Sequence, residues 1–388
     1  MGESEILVAG GGPAGLAAAI AARQAGFEVT VIDCAQPPID KACGEGILPD
    51  GLAALAQLGI QVDRGASFRG IRFRSERDEV EAGFSHNVGY GIRRTNLHQL
   101  MLDRAAELGV VLHWRSRITG FSPRGVFVNG QLAPFKWLIC ADGQNSRLRR
   151  LAGLDAGRCW GSRFGFRRHY KIAPWSDHVE VHWADCGQMY VTPVSHDELC
   201  IAFVTRHRQL RFDSAFRQFP LLAARLSGVK AEHDYLGALT TTRKFAFVQR
   251  HNLALVGEAS ASVDAVTGQG LSLAFQQALA LAQALQAGDL RRYEAAHRRI
   301  MRLPRIASAL LLAMDRHAGF RQHVMRALAH EPRCFGRMLA IHTGAMSLSD
   351  FGVRNGLALG WRLLTADAEE AAEPCHLRKW SLAKRDGR

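Results

Sequence analysis

The sequence lacks the cysteine and histidine spacings of a structural metal site or a disulfide framework. Its eight Cys include no Cys-x-x-Cys pair, and its 16 His form no cluster with metal-ligand spacing. Walker, His-Glu-x-x-His and Gly-x-Ser-x-Gly motifs are also missing, which excludes the usual ATPase, zinc protease and serine hydrolase chemistries. We therefore predict reduced thiols and no metal site, as in a cytosolic protein.

A secretory signal and a membrane span are missing as well. The chain opens without a basic segment, and its first apolar run is broken at Gly10. The uncharged stretch 265–288 is long enough to cross a bilayer, but five Gln would then lie in hydrocarbon. We predict a buried loop and helix at that stretch, and a cytoplasmic protein.

Acidic residues are scarce relative to basic ones. Lys and Arg number 49 against 36 Asp and Glu, a net charge of +13, while 47% hydrophobic and 22% charged residues are typical of a folded globular protein. The segment from Arg291 to Met338 holds eleven Arg, four His and three acids. A peripheral membrane contact, an anionic carrier and plain solvation of helices would each explain this cluster. Nucleic-acid motifs are missing, so we predict no nucleic-acid partner.

The N-terminus does contain a glycine-rich turn framed by two strands. An apolar run at residues 5–9 leads into Gly10-Gly11-Gly12-Pro13-Ala14-Gly15 and a helical segment, and a second run at residues 27–32 stops at Asp33. Gly10 makes the tight turn, Gly12 admits a pyrophosphate at the helix N-terminus, and Gly15 lets helix and strand pack closely. Asp33 is placed to accept from a ribose hydroxyl. The pattern predicts a dinucleotide site.

Two later strands end in turns of a similar kind. Residues 137–140 lead to Asp142-Gly143, and residues 251–256 lead to Gly257-Glu258. The loop Gly268-Gln269-Gly270-Leu271 then opens a long helix, whose first amides can meet negative charge. Three strand ends of this kind leave room for one extended cofactor that lies across all of them.

With these motifs the sequence resembles the flavoprotein hydroxylases and geranylgeranyl reductases that share the para-hydroxybenzoate hydroxylase fold. The resemblance covers residues 4–299 and implies that the first motif holds the ADP half of FAD. It implies further that Asp142-Gly143 supports FAD and nicotinamide binding and that Gly257-Glu258 meets the ribityl chain. The family has Asp where this chain has Glu258, and usually Pro where this chain has Ala265.

The resemblance also assigns residues between the main motifs. Arg94, at the head of an amphipathic helix expected at Leu97–Leu108, matches a position whose side chain reaches FAD. A strand expected at Val110–Ile118 would bring the backbone of Ile118 to adenine. The segment Lys41-Ala42-Cys43-Gly44-Glu45 passes over the flavin, and its Lys-x-Cys-Gly core looks like the geranylgeranyl reductase branch. Lys41 and Gly44 are therefore expected at the cofactor.

Cys43 and Glu45 are the two candidates for a direct part in the reaction. Cys43 could contact the substrate side of the flavin or pack under the loop, and packing or contact is favoured over covalent catalysis because no basic partner adjoins it in sequence. Glu45 is the carboxylate to test as an acid or base.

We predict an α/β protein with a Rossmann-like FAD-binding domain, an antiparallel β-sheet substrate domain interleaved with it, and C-terminal helices. The FAD-binding domain takes residues 1–60, 92–155 and 250–300, and the substrate domain takes residues 61–91 and 156–249. Residues 301–388 form a helical region that extends to Trp361 and a loose tail after Ala366.

The family resemblance implies an FAD-dependent monooxygenase that uses NADPH or NADH and O2 to hydroxylate an aromatic or polyketide-derived small molecule. A flavin-dependent reductase of a prenyl or lipid chain is the first alternative, and a non-catalytic flavin-binding partner protein is the second. The Trp-x-Trp-x-Ile-Pro signature of flavin halogenases is missing. The substrate, the preferred nicotinamide and the oligomeric state stay open.

Overall fold

The computed structural model describes residues 4–85, 87–122, 125–232, 235–347 and 350. Helices at Arg302–Arg316, Ala318–His330 and Pro332–His342 confirm the predicted helical region after residue 301 as far as His342. The helices expected up to Trp361 and the tail after Ala366 lie outside the described residues.

Helices separate groups of strands through the first half of the chain, and consecutive helices follow the last strand in the described residues. The strands are β1 (Ser4–Ala9), β2 (Val29–Ile32), β3 (Gly46–Ile47), β4 (Ala66–Phe68), β5 (Gly70–Arg74), β6 (Glu79–Gly83), β7 (Gly89–Gly91), β8 (Val111–His113), β9 (Ile118–Ser122), β10 (Gly125–Val128), β11 (Gln131–Ala133), β12 (Phe135–Cys140), β13 (Gly157–Tyr170), β14 (His178–Ala184), β15 (Gly187–Ser195), β16 (Glu198–Thr205), β17 (Leu236–Phe245), β18 (Gln249–Arg250), β19 (Leu253–Leu255) and β20 (Ala261–Ser262). The α-helices are α1 (Pro13–Gln24), α2 (Pro49–Gln57), α3 (Arg94–Glu107), α4 (Arg147–Leu151), α5 (Phe212–Ala215), α6 (Pro220–Arg225), α7 (Gly270–Gln286), α8 (Leu290–Ile300), α9 (Arg302–Arg316), α10 (Ala318–His330) and α11 (Pro332–His342). Short 3-10 helices lie at Phe216–Gln218, Gly257–Ala259 and Ala265–Thr267.

A six-stranded sheet in the order β18-β19-β12-β1-β2-β8 forms the cofactor-type layer. Its strands β8, β2, β1, β12 and β19 run parallel, and only β18 at the edge is antiparallel. The apolar residues of β1, β2, β12 and β19 belong to one core with α1, α3 and α7. Near-continuous apolar strands are typical of a parallel sheet covered on both faces.

An eight-stranded sheet in the order β20-β17-β13-β16-β15-β14-β5-β6 forms the second layer. Strands β14, β15 and β16 pair antiparallel there, as the predicted antiparallel sheet requires. β5 and β6 come from the earlier segment 61–91, so the chain interleaves the two layers as predicted. β5 nevertheless joins β14 in parallel, and β4 and β7 form a small separate sheet with β3. The domain limits themselves stay predictions.

The strand expected at Val110–Ile118 is wrong. β8 ends at His113, and Ile118 instead begins β9 in the three-stranded sheet β11-β10-β9. The backbone turns at Arg115, whose φ of 53° lies in the left-handed region. Backbone N–H groups of Arg115 and Ser116 donate to the carbonyls of Ala35 and Asp33 over 3.2 and 2.9 Å, so the chain folds against the end of β2.

The uncharged stretch 265–288 forms a 3-10 turn and then α7, as predicted. Among the described residues, no helix is long and apolar enough to cross a membrane. Seven of the eight Cys lie in the described part of the chain, and all seven are free thiols.

Buried His297 on α8 fastens the turn at residues 257–260. Its Nε2 lies 3.0 Å from Ser260 Oγ, and that hydroxyl donates to the carbonyl of Gly257 over 2.7 Å. Burial, together with the charges of Arg305 and Arg298, lowers the pKa of His297 to about 3. The folded protein therefore holds this imidazole neutral.

We expect His297 to make stability fall as the pH drops below about 6.5, the ordinary pKa that it regains on unfolding. Because the folded pKa is depressed, the stabilisation is complete above that pH and declines toward pH 3. Between pH 6.5 and 5.5 the loss should be about 1 kcal/mol, since one proton changes stability by about 1.4 kcal/mol per pH unit. Urea unfolding of the parent and of His297→Gln at both pH values measures it.

His196, whose side chain is 92% exposed, provides the matched control. His196→Gln should keep the parent's pH dependence, and His297→Gln should reduce it. Burial raises the pKa of Asp50 to about 6, so this residue makes stability fall as the pH rises. That contribution is the same in every variant. An unchanged slope in His297→Gln would contradict the assignment.

Candidate functional site

A cavity of about 1070 Å³ lies between the carboxyl ends of the parallel strands, the eight-stranded sheet and the C-terminal helices. Ligands of open α/β sheets bind at this edge. The structure brings nearly all of the predicted site residues to its wall. They are Gly10, Gly12, Pro13, Ala14, Asp33, Lys41, Cys43, Gly44, Glu45, Arg94, Ile118, Asp142, Gly143, Gly257, Glu258, Gly268, Gln269, Gly270 and Leu271.

The glycine-rich turn has the shape of a cradle. Gly10 has a φ of 113°, and a Cβ on Gly15 would lie 1.8 Å from the Gly10 carbonyl oxygen. Gly15 therefore serves helix packing, as predicted, and does not line the cavity. A Cβ on Gly12 would meet no described atom within 4 Å. The open space at Gly12 adjoins the first turn of α1, where backbone amides favour a phosphate.

Asp33 is fixed at the end of β2. Its carboxylate accepts from the N–H groups of Gly11 and Ala35 over 2.6 and 2.7 Å. An ionised carboxylate has further lone pairs, so it can still accept from a ribose.

His98, a buried residue of α3, was not predicted from the sequence. Ile39 N–H donates to its Nδ1 over 3.4 Å, which assigns the proton to Nε2, and Nε2 lies 2.8 Å from the carbonyl oxygen of Gly11. Burial lowers the pKa of His98, so the ring is held neutral. The ring contacts the glycine turn and so positions it. The sequence signal that could have identified His98 is its place one helical turn after Arg94, a predicted cofactor residue.

Four buried polar atoms in the cavity wall have no hydrogen-bond partner among the described residues. They are Arg94 Nε, Asp142 Oδ1, Asp264 Oδ2 and Gln269 Oε1. Buried polar atoms are nearly always paired, so these atoms fit a ligand that is rich in polar groups. Together with the open cradle at Gly12, they suit FAD, with its pyrophosphate, ribityl chain and flavin ring.

The turns after β12 and β19 hold their acids differently. Asp142 Oδ2 caps α4 by accepting from the N–H groups of Arg147 and Leu148 over 2.9 and 3.2 Å. Glu258 instead pairs with Lys41, whose Nζ lies 2.8 Å from its Oε2, and both side chains are about half exposed. This ion pair thus joins two predicted cofactor residues, Glu258 and Lys41. Its contact with the ribityl chain stays a prediction.

Glu45 lies at the centre of a buried ionic network. One carboxylate oxygen accepts from Arg94 N–H over 2.9 Å and from Arg167 Nη1 over 2.6 Å, and the other lies 2.6 Å from His169 Nε2. Arg167 also forms a two-pronged ion pair with Asp40 at 3.0 and 2.8 Å. Glu45 has a φ of 58°, a conformation that few residues other than Gly adopt, so this network holds a strained backbone in place.

Burial alone would raise the pKa of Glu45, but the hydrogen bond and charge of His169, with the charge of Arg167, outweigh it and lower the pKa. The carboxylate is therefore ionised, which favours a positioning role over the predicted acid role. The acid–base assignment of Glu45 stays a prediction. Arg167 and His169 are about 120 residues away along the chain, and no local sequence pattern points to them.

Cys43 lines the cavity beside this network. Its Sγ accepts from Glu45 N–H over 3.4 Å, and the buried Cys200 thiol lies 3.7 Å from the Cys43 carbonyl oxygen. Glu45, His169 and Cys200 place their ligand atoms within 4.8 Å of one another. Arg167 already occupies Glu45 and would repel a metal ion, so we interpret this cluster as an ion pair with a packed thiol.

The fold, the glycine cradle and the orphaned polar atoms define a flavin-dependent oxidoreductase. The chain belongs to the FAD binding domain family, whose model matches residues 3–291. The predicted FAD-dependent oxidoreductase of the para-hydroxybenzoate hydroxylase type is thereby confirmed.

Comparisons with individual proteins agree with this assignment. Menaquinone reductase of Mycolicibacterium smegmatis is 27% identical over 330 residues, which cover 76% of this chain and 79% of that protein. A 6-methylpretetramide 4-monooxygenase of Streptomyces rimosus is 29% identical over 181 residues, covering 40% of this chain and 32% of that one. The solved structure of a flavoprotein/dehydrogenase from Cytophaga hutchinsonii shares the fold with a TM-score of 0.80 at 18% identity, over 94% of this chain and 100% of that one.

We expect Gly12→Val to weaken FAD binding by at least about 2 kcal/mol, roughly thirtyfold, because the side chain fills the pyrophosphate space. The fold should survive, since no described atom lies within 4 Å of the new Cβ. Gly319→Val on α10 is the matched control, because Gly319 also has open space around it but lies outside the cavity wall. Flavin absorbance after purification and titration with FAD measure the loss. Equal FAD content in the two variants would contradict the assignment of Gly12 to the pyrophosphate site.

Glu45→Gln should lower the free energy of unfolding by about 3 kcal/mol, because it leaves buried Arg167 and His169 without their shared anion. Glu81→Gln removes the partner of Arg72 in a half-exposed ion pair and should cost less than about 1 kcal/mol. Urea unfolding of the FAD-loaded proteins compares them. Similar losses would show that the Glu45 network contributes no more than a surface pair.

Proposed function

We propose that this protein is a flavin-dependent reductase that saturates a carbon–carbon double bond in the prenyl chain of a quinone or lipid, with NADPH or NADH as reductant. The observation that carries the proposal is the apolar extension of the cavity beyond the cofactor residues. The similarity to a menaquinone reductase over three quarters of both chains supports it, since menaquinone carries a prenyl chain. The Lys41-Ala42-Cys43-Gly44 core, similar to geranylgeranyl reductases, agrees.

The apolar extension lies between the eight-stranded sheet and helices α9, α10 and α11. Its partly exposed lining includes Phe73 and Tyr190 on the sheet side and Leu303, Ala307, Leu310, Leu311 and Met338 on the helix side. Val181, Met314, Leu328, Phe335 and Leu339 pack together in the core behind this lining. A buried CH2 contributes about 0.8 kcal/mol, so one prenyl unit would gain several kcal/mol in this extension. A small polar ring would gain far less.

Bound FAD supplies the transfer of two electrons from the nicotinamide to the double bond, with protons completing the CH–CH product. The chain's own part is to bind and orient. Gly12 and the start of α1 would hold the pyrophosphate, Arg94 and Gln269 would offer polar atoms to the cofactor, and the ionised Glu45 fixes the loop that carries Cys43. The apolar walls exclude water from the double bond.

Hydroxylation of an aromatic or polyketide-derived molecule with O2 is the second candidate function. The partial similarity to the 6-methylpretetramide 4-monooxygenase favours it, as do Phe68, Phe73 and Tyr190 in the cavity wall. Product mass separates the two functions, because a reductase adds two hydrogen atoms and a monooxygenase adds one oxygen atom.

Incubation of the FAD-loaded protein with NADPH or NADH and a menaquinone, without and with air, tests the proposal. After the quinone ring has been reoxidised, so that reduction of the ring does not contribute to the mass, we expect a product heavier by two hydrogen atoms in both atmospheres. A product that forms only with air and contains one more oxygen atom would replace the proposal with the second candidate.

Ala307→Trp should abolish most of this reduction, at least about tenfold, because residue 307 of α9 lines the apolar extension. Ala309→Trp on the exposed face of the same helix is the matched control and should keep the activity. Both variants should retain FAD. Equal activities would place the substrate outside the extension.

A further inference from the structure

Three large apolar side chains line the cavity and are also strongly exposed. Leu151 of α4 is 47% exposed, Leu239 of β17 is 52% exposed, and Ile306 of α9 is 57% exposed. Single exposed apolar residues are common on proteins, but these come from three elements and border one opening. We call this set the apolar rim.

Helix α9 joins the apolar rim to basic surface. Arg302, Ile306 and Ala309 share its exposed face, since they are spaced by four and three residues. Leu303, Ala307 and Leu310 on the adjoining face line the cavity. Helix α9 therefore places the cavity wall, an exposed apolar side chain and an exposed cation within two turns.

The exposed charge on α8 and at the start of α9 has one predominant sign. Arg291, Arg292, Arg298 and Arg299 on α8 are exposed and precede the exposed Arg302 directly. Asp289 and Glu294 pair with two of them, so a positive excess remains on this surface. An anionic bilayer has negatively charged headgroups over an apolar interior. A protein surface with adjoining exposed cations and apolar side chains complements both parts.

We infer that the apolar rim and the exposed Arg of α8 and α9 rest on an anionic phospholipid bilayer, so that a lipid substrate enters the cavity from the membrane. The inference rests on the proposed function for its substrate, but the surface is defined by exposure and charge alone. The proposed contact lies at the surface of the bilayer. Attraction to anionic headgroups is screened beyond about 8 Å at physiological salt, so binding depends on salt.

Co-sedimentation of the FAD-loaded full chain with vesicles tests this. Vesicles of equal parts phosphatidylglycerol and phosphatidylcholine should bind the protein at low salt, and phosphatidylcholine alone should bind it at least about tenfold more weakly. Leu239→Glu combined with Ile306→Glu should reduce binding to the anionic vesicles about tenfold or more, as should Arg299→Glu combined with Arg302→Glu.

Leu221→Glu and Phe247→Glu are the matched controls, because these residues are 57% and 56% exposed but lie outside the cavity wall. They should bind vesicles as the parent does. Absence of binding to anionic vesicles at low salt would overturn the inference, as would an equal loss in rim and control variants. Reduction of the substrate in detergent solution reads out the proposed function separately, so either proposal can fail while the other stands.

Discussion

The buried carboxylate of Glu45 is the interaction on which the geometry of the site depends. It joins the loop that follows the first βαβ unit, the start of α3 and the strand β13, and so links the cofactor layer to the sheet above it. Desolvation of an unpaired carboxylate would be costly, but Arg167 and His169 compensate its charge with direct hydrogen bonds. The same bonds hold the left-handed backbone at Glu45. The hydrogen bonds of this one ion-paired residue thus connect the two layers on either side of the cavity.

A second buried ionic cluster on β13 fixes the other side of the cavity. Arg163 Nη1 donates to Asp264 Oδ1 over 3.0 Å, and its Nη2 donates to Asp315 Oδ1 over 3.4 Å. Asp264 precedes the loop that opens α7, and Asp315 lies near the end of α9. β13 therefore positions both the loop at the flavin end and the helix that lines the apolar extension. A buried ion pair is weak support for stability, but it specifies geometry because any displacement leaves a charge uncompensated.

Local motifs made the cofactor layer predictable from the sequence, and distant contacts limited the rest. The turn at Gly10, Gly12 and Gly15 follows from steric needs that few residues satisfy, so a dinucleotide site followed from the spacing, and FAD followed from the resemblance of the motifs to a known family. Arg167 and His169 contact Glu45 only because the tertiary fold brings β13 next to the loop that carries Glu45. The sequence around residue 45 contains no pattern that predicts these contacts. The strand expected at Val110–Ile118 was wrong for a related reason, since the turn at Arg115 is held by backbone bonds to the end of β2.

The segment that the family model matches ends close to the point where the helices that line the apolar extension begin. The FAD binding domain model ends at residue 291, and the helix side of the extension comes from α9, α10 and α11, which begin at Arg302. The unpartnered polar atoms that suit FAD all lie within the matched segment, at Arg94, Asp142, Asp264 and Gln269. The helix side of the extension therefore lies in a stretch of sequence separate from the one that carries these polar atoms, although both stretches line one cavity. Changes in the C-terminal helices can alter the shape of the extension without touching the cradle at Gly12, because Asp33 and His98 hydrogen-bond to the glycine turn, whereas Arg163 contacts Asp315 of α9.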